Sequence, residues 1–229
     1  MKAMILAAGF GRRMEPLTLS TPKPLLQVGG RSLIDWHLQR LADSGFIDVV
    51  INQHHLGRQL ERSVGDGSRW GLRIHWSPEA EILETGGGIH RALPLLGQAP
   101  FAVINGDIWT DYDFARLRGA LPVGQLAHLV LIANAPHNPG GDFSLDAQGH
   151  VGLQQDTERF TFTGISVLDP ALFEGVSPGH RRLVDLLFPA VIGGRVSGEV
   201  YGGRWHDIGT PERLTALDEA LRCGQADSR

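Results

Sequence analysis

The segment LAAGFGRRMEPLTLSTPKPLLQVGGRSLI, from Leu6 to Ile34, sets Gly9 and Gly11 directly before Arg12 and Arg13 and holds Lys23 between Pro22 and Pro24. Glycine lets backbone N–H groups approach an oxygen with no Cβ in the way, so a glycine-rich turn after a first strand suits phosphate. A plain tight turn would account for Gly9-x-Gly11 as well. Neither standard phosphate pattern fits: no Gly-Lys-Ser/Thr closes a Walker loop, and Met14 stands where a dinucleotide fingerprint needs Gly or Ala. The neighbouring cations tilt the reading toward phosphate. Proline on both sides restricts the backbone of Lys23, so its ammonium can be aimed with less entropy lost on binding.

Two carboxylates extend this set. Asp107, in INGD (104–107), follows an apolar run at the carboxyl edge where α/β sheets bind ligands. Asn-Gly-Asp is also good turn chemistry, but beside a bound phosphate Asp107 would suit Mg²⁺, which takes one or two carboxylates plus phosphate oxygens. Asp207, in RWHDIGTPERL, is the second; it could instead cap the helix opened by Pro211, where Thr210 competes for the task. If 201–207 is extended, Tyr201, Gly203, Trp205 and Asp207 point one way, and Arg204 and His206 the other. The ten histidines show no H-E-x-x-H or other ligand spacing, so His54, His55 and His206 are read as structural. No G-x-S-x-G or Cys/His arrangement suggests covalent catalysis.

The elements that must carry these residues follow from periodicity. KAMILA (2–7), IDVVIN (47–52), LRIHWS (72–77) and FAVING (101–106) read as strands, separated by helical patterns in SLIDWHLQRLADSG, LGRQLERSVGDG and TGGGIHRALPLL. The alternation predicts an α/β fold: one doubly wound, mostly parallel, Rossmann-like sheet. After AHLVLIAN (127–134), DFSLDAQGHVGLQ and RFTFTGISVLD predict a small antiparallel addition with turns at Gln148-Gly149 and Gly164. RRLVDLLFPAVIGG reads as a helix opened by Arg181 and Arg182, GEVYGGRWHDIG as strands, PERLTALDEALRC as a last helix, and the tail 224–229 is expected to fray.

With 229 residues, 42% hydrophobic and 20% charged, one domain over 1–229 is expected. A net charge of −4 argues against nucleic acid as partner. No apolar run approaches the roughly 20 residues of a membrane span, and Gly9, Gly11, Arg12 and Arg13 break the N-terminal run, so no secretion signal is expected. The single Cys223 fits a reducing compartment, hence the cytoplasm.

The Leu6–Ile34 segment closely resembles the signature of the nucleotidyltransferases that activate sugar 1-phosphates, L-A-A-G-x-G-x-R-x-x-P-L-T followed by P-K-P-L. RWHDIGTPERL resembles the same family's late W-x-D-x-G-T-P-E-R-L segment, in the expected order along the chain. The resemblance implies a nucleoside triphosphate held by Ala7, Ala8, Gly9, Gly11 and Arg12, with Arg13 on the outgoing β,γ-phosphates, Lys23 on the reacting phosphates, and Asp107 and Asp207 on Mg²⁺. ETGGGI (84–89) stands where the family has an L-G-T-A-G-A-like segment, which places Gly86 and Gly87 near the base, although Glu84 and three glycines replace the commoner residues. ERFTFTGISVLD resembles the sugar-side flap, so Glu158, Asn105 and Gly164 are assigned to the sugar; the usual E-K-P is missing there, and Glu158 would fit a solvated hairpin equally well.

The implied reaction is attack of a sugar 1-phosphate oxygen on the α-phosphorus of the triphosphate, with pyrophosphate leaving. Residues up to about 134 would serve the nucleotide and about 135–222 the sugar. The whole chain most resembles the short bacterial members that use UTP and N-acetylmuramate α-1-phosphate in recycling cell-wall sugar. Glucose-1-phosphate and mannose-1-phosphate nucleotidyltransferases are alternatives. So is a catalytically silent sugar-nucleotide sensor, against which Arg13, Lys23, Asp107 and Asp207 speak. UTP and a sugar 1-phosphate are the implied partners, with no nucleic acid, membrane or obligate protein partner. The lactyl carboxylate of N-acetylmuramate calls for a cation, and Arg181 and Arg182 are candidates, with a solvated first helical turn as the alternative.

Overall fold

The computed structural model of the chain describes residues 1–226. The first half runs β1 (Ala3–Leu6), β2 (Gln27–Val28), β3 (Arg31–Ser32), α1 (Leu33–Asp43), β4 (Asp48–Gln53), α2 (Gly57–Val64), β5 (Arg73–Pro78), α3 (Glu84–Leu96), β6 (Phe101–Asn105) and β7 (Ile108–Thr110). The second runs β8 (Ala127–Ile132), β9 (Phe143–Leu145), β10 (Val151–Gly152), β11 (Arg159–Leu168), α4 (Val184–Ile192), β12 (Val196–Tyr201), β13 (Trp205–Asp207) and α5 (Pro211–Ala226).

Strand β1 is apolar throughout because helices cover both of its faces. Ala3, Met4 and Ile5 expose no surface, and β1 pairs in parallel with β4 on one edge and β6 on the other. Side chains alternate across a strand. Accordingly Ala3, Ile5, Val49, Ile51, Ala102 and Ile104 pack on Ile34, Leu38 and Leu41 of α1 and on Leu60 and Val64 of α2. Met4, Val50 and Val103 join the opposite cluster, with Ile89 and Ala92 of α3 and Leu187 and Val191 of α4. That split is the doubly wound arrangement. The helices begin and end as their residues dictate: the Ser32 side chain accepts from the Asp35 N–H at 3.2 Å to start α1, and Gly45, at φ +73°, follows its end.

Beyond β6 the sheet turns antiparallel, and β11 lies within it rather than beside it. It pairs with β6 through Ile165–Leu168, with β8 along its other edge, and with β9 near its start. Gly164 is a bulge in this continuous strand, not a turn; the register with β8 shifts between Phe162 and Ile165. The segment 201–207 is likewise not one strand. β12 extends the main sheet parallel to β8, while β13 pairs separately with β7. The final helix continues through Gly224 to Ala226, where the sequence predicts fraying; the rest of the tail lies outside the described residues. No helix of the described residues is long and apolar enough to cross a membrane.

Buried within α1, His37 is 1% exposed and packs beside the Phe114 ring. Burial pulls its pKa down to about 4. The unfolded chain therefore takes up a proton near pH 6.5 that the folded chain refuses, so stability is full above that value and drains away as pH falls toward 4. His37→Leu should remove about 2 kcal/mol of the stability lost between pH 7.5 and pH 5. Urea unfolding of both proteins at the two pH values checks this.

Candidate active site

The parallel strands β1, β4 and β6 end side by side, and a cleft of about 570 Å³ opens at their carboxyl ends. Its wall includes Leu6 at the end of β1, Ala7–Met14, Lys23 and Pro24 from the long loop, Asn52 from β4, and Asn105 at the end of β6 with Gly106 and Asp107 after it. Gly106 permits this convergence, since a Cβ there would lie 2.6 Å from the Leu6 carbonyl oxygen. Its own N–H donates to that oxygen at 2.9 Å.

Short 3-10 turns at Arg12–Met14, Leu17–Leu19 and Lys23–Leu25 order the loop. Gly11 takes φ +66°, and the Thr18 hydroxyl donates to its carbonyl at 2.9 Å. His55 Nε2 bonds the Thr18 carbonyl and His54 Nδ1 the Glu79 carbonyl, each at 2.9 Å, so both histidines serve backbone as expected. Under the loop, Met14, Leu26, Val28 and Leu33 pack with Trp109, Ile208, Leu217 and Leu221. The Gly29 N–H donates to Asp218 of α5 at 2.7 Å. This small core binds the residue after Arg13 and the residue after Asp207 into one body.

Of the charged groups predicted from sequence, Arg12, Arg13, Lys23 and Asp107 line this cleft, while Asp207 is not among its lining residues and adjoins it through the pairing of β13 with β7. Lys23 Nζ lies 2.7 Å from Asp107 Oδ2, and the lysine side chain is only 11% exposed. Arg12 and Arg13 are exposed on the same wall, Arg12 with its guanidinium 5.0 Å from the Phe10 ring centroid. Asp207 ends β13, whose pairing with Ile108 brings it beside Asp107; the Ile208 N–H donates to the Asp107 carbonyl at 2.9 Å. Arg213 Nη1 reaches Asp207 Oδ2 at 2.6 Å, and His137 Nε2 lies 3.4 Å from the same oxygen while stacking on Trp205. Arg204 and His206 both lie against Trp109, although only His206 belongs to β13 and the extended 201–207 strand expected from sequence is broken. Asn105 lines the cleft and abuts Gly164, where a Cβ would meet its amide nitrogen at 2.5 Å.

Other assignments look different in three dimensions. Gly86 and Gly87 are buried against the backbone of 179–182: a Cβ on Gly87 would lie 2.2 Å from the Gly179 carbonyl oxygen, and one on Gly86 2.9 Å from that of Arg182. Their neighbours Glu84 and Thr85 line the cleft instead. Arg181 and Arg182 do not open a helix, because α4 begins at Val184. The Arg181 N–H donates to Leu83 and its carbonyl accepts from Gly87, both at 2.9 Å, which zips this segment to the start of α3. The Arg182 side chain is exposed and pairs with Asp185 at 2.7 Å. Glu158 is exposed immediately before β11.

A buried polar chain escaped the sequence reading. Asn52 accepts from the Ala7 N–H and donates to Glu79, both at 2.7 Å, and Glu79 accepts from the Leu83 N–H at 3.1 Å. It fixes the first residue of the loop to the start of α3. Only proximity in the fold joins its members; no local motif marks it.

Comparison with known proteins agrees with the geometry. A family model described as nucleotidyl transferase matches residues 2–141. The chain is 50% identical to an N-acetylmuramate α-1-phosphate uridylyltransferase of Neisseria meningitidis serogroup B, over 93% of this chain and 95% of that protein. A protein of the same description from Caulobacter vibrioides is 33% identical over 96% of each. The solved structure of HddC from Yersinia pseudotuberculosis superposes with a TM-score of 0.80 over 96% of this chain and 99% of that one, at 20% identity, a likeness of fold.

The packing around Asn52 and Glu79 yields a direct test. A Cβ on Gly88 would lie 2.7 Å from Glu79 Oε1 and 2.9 Å from Asn52 Nδ2, whereas one on Gly9 meets nothing within 4 Å. Gly88→Ala should cost roughly 1–3 kcal/mol although alanine is the better helix former, and Gly9→Ala should leave the unfolding midpoint unchanged. Chemical denaturation of the two variants checks the contrast.

Proposed function

The chain belongs to the nucleotidyl transferase family, and from that membership we propose that it transfers a uridylyl group from UTP to N-acetylmuramate α-1-phosphate, releasing pyrophosphate. The observation that carries the chemistry is the convergence of Lys23, Arg12, Arg13 and Asp107 on one cleft. The 50% identity along nearly the whole of both chains supports the substrate pair. Because the reaction consumes UTP, the cytoplasm is the compartment it fits.

In this reading an oxygen of the sugar 1-phosphate attacks the α-phosphorus in line. That oxygen is already anionic near neutral pH, so the chain must supply charge neutralisation and alignment rather than a general base. The backbone of Ala7, Ala8 and Gly9 lies along the nucleoside, Arg12 and Arg13 hold the β- and γ-phosphates, and Lys23 acts where the two phosphates meet. Residues up to about 134 serve the nucleotide and about 135–222 the sugar. On the sugar side Asn105, set against the Gly164 bulge, is better placed than Glu158, Arg181 or Arg182. Gly86 and Gly87 act by letting α3 pack closely beside the base side of the cleft.

Asp107 and Asp207 are the groups that would hold a divalent cation, Mg²⁺ in this reading. They fit it in donor chemistry: both are carboxylates already engaged by a protein cation through Oδ2, and the Ile208 N–H on the Asp107 carbonyl at 2.9 Å holds their backbones side by side. Mg²⁺ takes one or two carboxylates and fills its remaining positions with water and phosphate oxygens. When bound it would offset the charge of the triphosphate.

Pyrophosphate release from UTP with a panel of sugar 1-phosphates tests the assignment, with N-acetylmuramate α-1-phosphate expected to be the best acceptor. Asp107→Asn and Asp207→Asn should each lower turnover roughly a hundredfold or more with the fold intact. Lys23→Ala should lower kcat more than it raises the KM for UTP, because its contact strengthens in the transition state. Near-normal turnover in any of the three would remove that residue from the chemistry.

A further inference from the structure

The two cations that neutralise the acidic pair are placed differently. Arg213 meets Asp207 from the first turn of α5, whose Leu217 and Leu221 are anchored in the small core under the loop. Lys23 meets Asp107 from the cleft wall itself, where a bound triphosphate would lie. Its backbone is held in a short turn between Pro22 and Pro24, so reaching a different partner requires only a side-chain rotation. Arg12 and Arg13, on the same wall, make no ion pair among the described residues and remain available to an incoming anion. With Lys23 on Asp107 and Arg213 on Asp207, the two carboxylates are matched by two protein cations. A bare divalent cation then gains little there, because it must first displace an ammonium 2.7 Å from one of the oxygens it needs.

We propose, on the reading of the site given above, that Lys23 and a divalent metal exchange places at the Asp107 carboxylate. In the free protein the ammonium occupies Asp107; the triphosphate draws it onto phosphate oxygens, and the vacated carboxylate takes the metal. Lys23 thereby makes metal capture depend on nucleotide, beyond the attraction of metal for triphosphate in solution. Such coupling is reciprocal: whatever the nucleotide adds to metal affinity, the metal adds to nucleotide affinity. It also keeps the acidic pair from holding a metal when no nucleotide is present.

Manganese serves as the probe, because free Mn²⁺ is counted directly by electron paramagnetic resonance. The nucleotide-free wild type should bind Mn²⁺ weakly, and Lys23→Met should bind it about tenfold tighter, within the usual range of coupling between sites. Lys23→Arg, which keeps a cation at Asp107, should stay near wild type. So should Arg13→Ala, which removes an equal charge that does not touch the carboxylate. In calorimetry, the ratio of UTP affinities with Mn²⁺ and with chelator should fall by the same factor in Lys23→Met, a comparison from which solution binding of Mn²⁺ to UTP cancels. If Lys23→Met melts below wild type, Lys23→Gln replaces it. Unchanged Mn²⁺ affinity in the lysine variant, or an equal gain in Arg13→Ala, overturns the exchange. Asp107→Asn separates the two layers. If it leaves Mn²⁺ binding in the presence of UTP untouched, the metal-ligand reading itself fails. If it weakens that binding while Lys23→Met gains nothing, only the exchange fails.

Discussion

The contact between Lys23 and Asp107 is the point at which the two halves of the cleft are tied. Lysine comes from the loop after β1, aspartate from the turn after β6, and their charged atoms meet at 2.7 Å with the lysine largely out of water. A loop as long as that between β1 and α1 cannot hold an ammonium in register by itself. The requirement is met from beneath, where Met14, Leu26, Val28 and Leu33 share a small core with Ile208, Leu217 and Leu221. The same core holds Ile208 and Leu214, the residues that follow Asp207 and Arg213, so that pair and the loop rest on one body.

A second constraint is close backbone approach, and it explains why glycine accumulates where it does. Gly106 lets the ends of β1 and β6 meet, Gly164 lets β11 admit Asn105, and Gly86 and Gly87 let α3 lie against 179–182. In each case a Cβ would fall closer than 3 Å to a neighbouring atom. The cleft is therefore shaped as much by absent side chains as by present ones. Asn52 and Glu79 then spend buried hydrogen bonds on fixing Ala7, the residue from which the loop departs. Buried polar groups need partners, and here the partners are the site's own framework.

Much of this was legible in the sequence, for local reasons. Alternating apolar runs and helical patterns located the strands and helices of the first half because each element is decided by its own residues. Lys23, Asp107 and Asp207 were legible because each sits in a short motif whose neighbours, two prolines, an Asn-Gly turn or a Pro-capped helix, explain it. Asn52 and Glu79 were not, because they meet only through the pairing of β4 with β5. Arg213 stood in a quoted motif, but its partner six residues upstream emerges only from the turn at Gly209. Arg181 and Arg182 misled for a related reason: RRLVDLL has a helical pattern, yet the backbone of Arg181 is committed to α3, which delays α4 to Val184. Gly164 reads as a turn in sequence because a glycine between apolar runs has the same signature whether it ends a strand or bulges within one.

In the proposed reaction the cleft directs a sugar phosphate oxygen onto the α-phosphorus of UTP. The most direct measurement follows oxygen itself, using N-acetylmuramate α-1-phosphate labelled with ¹⁸O in its phosphate and reading isotope shifts in the ³¹P spectrum of the products. Label is expected in the bridging oxygen of the nucleotide sugar and none in pyrophosphate. Label in pyrophosphate, an unlabelled bridge, or no consumption of UTP by the wild-type protein with Mg²⁺ would contradict it.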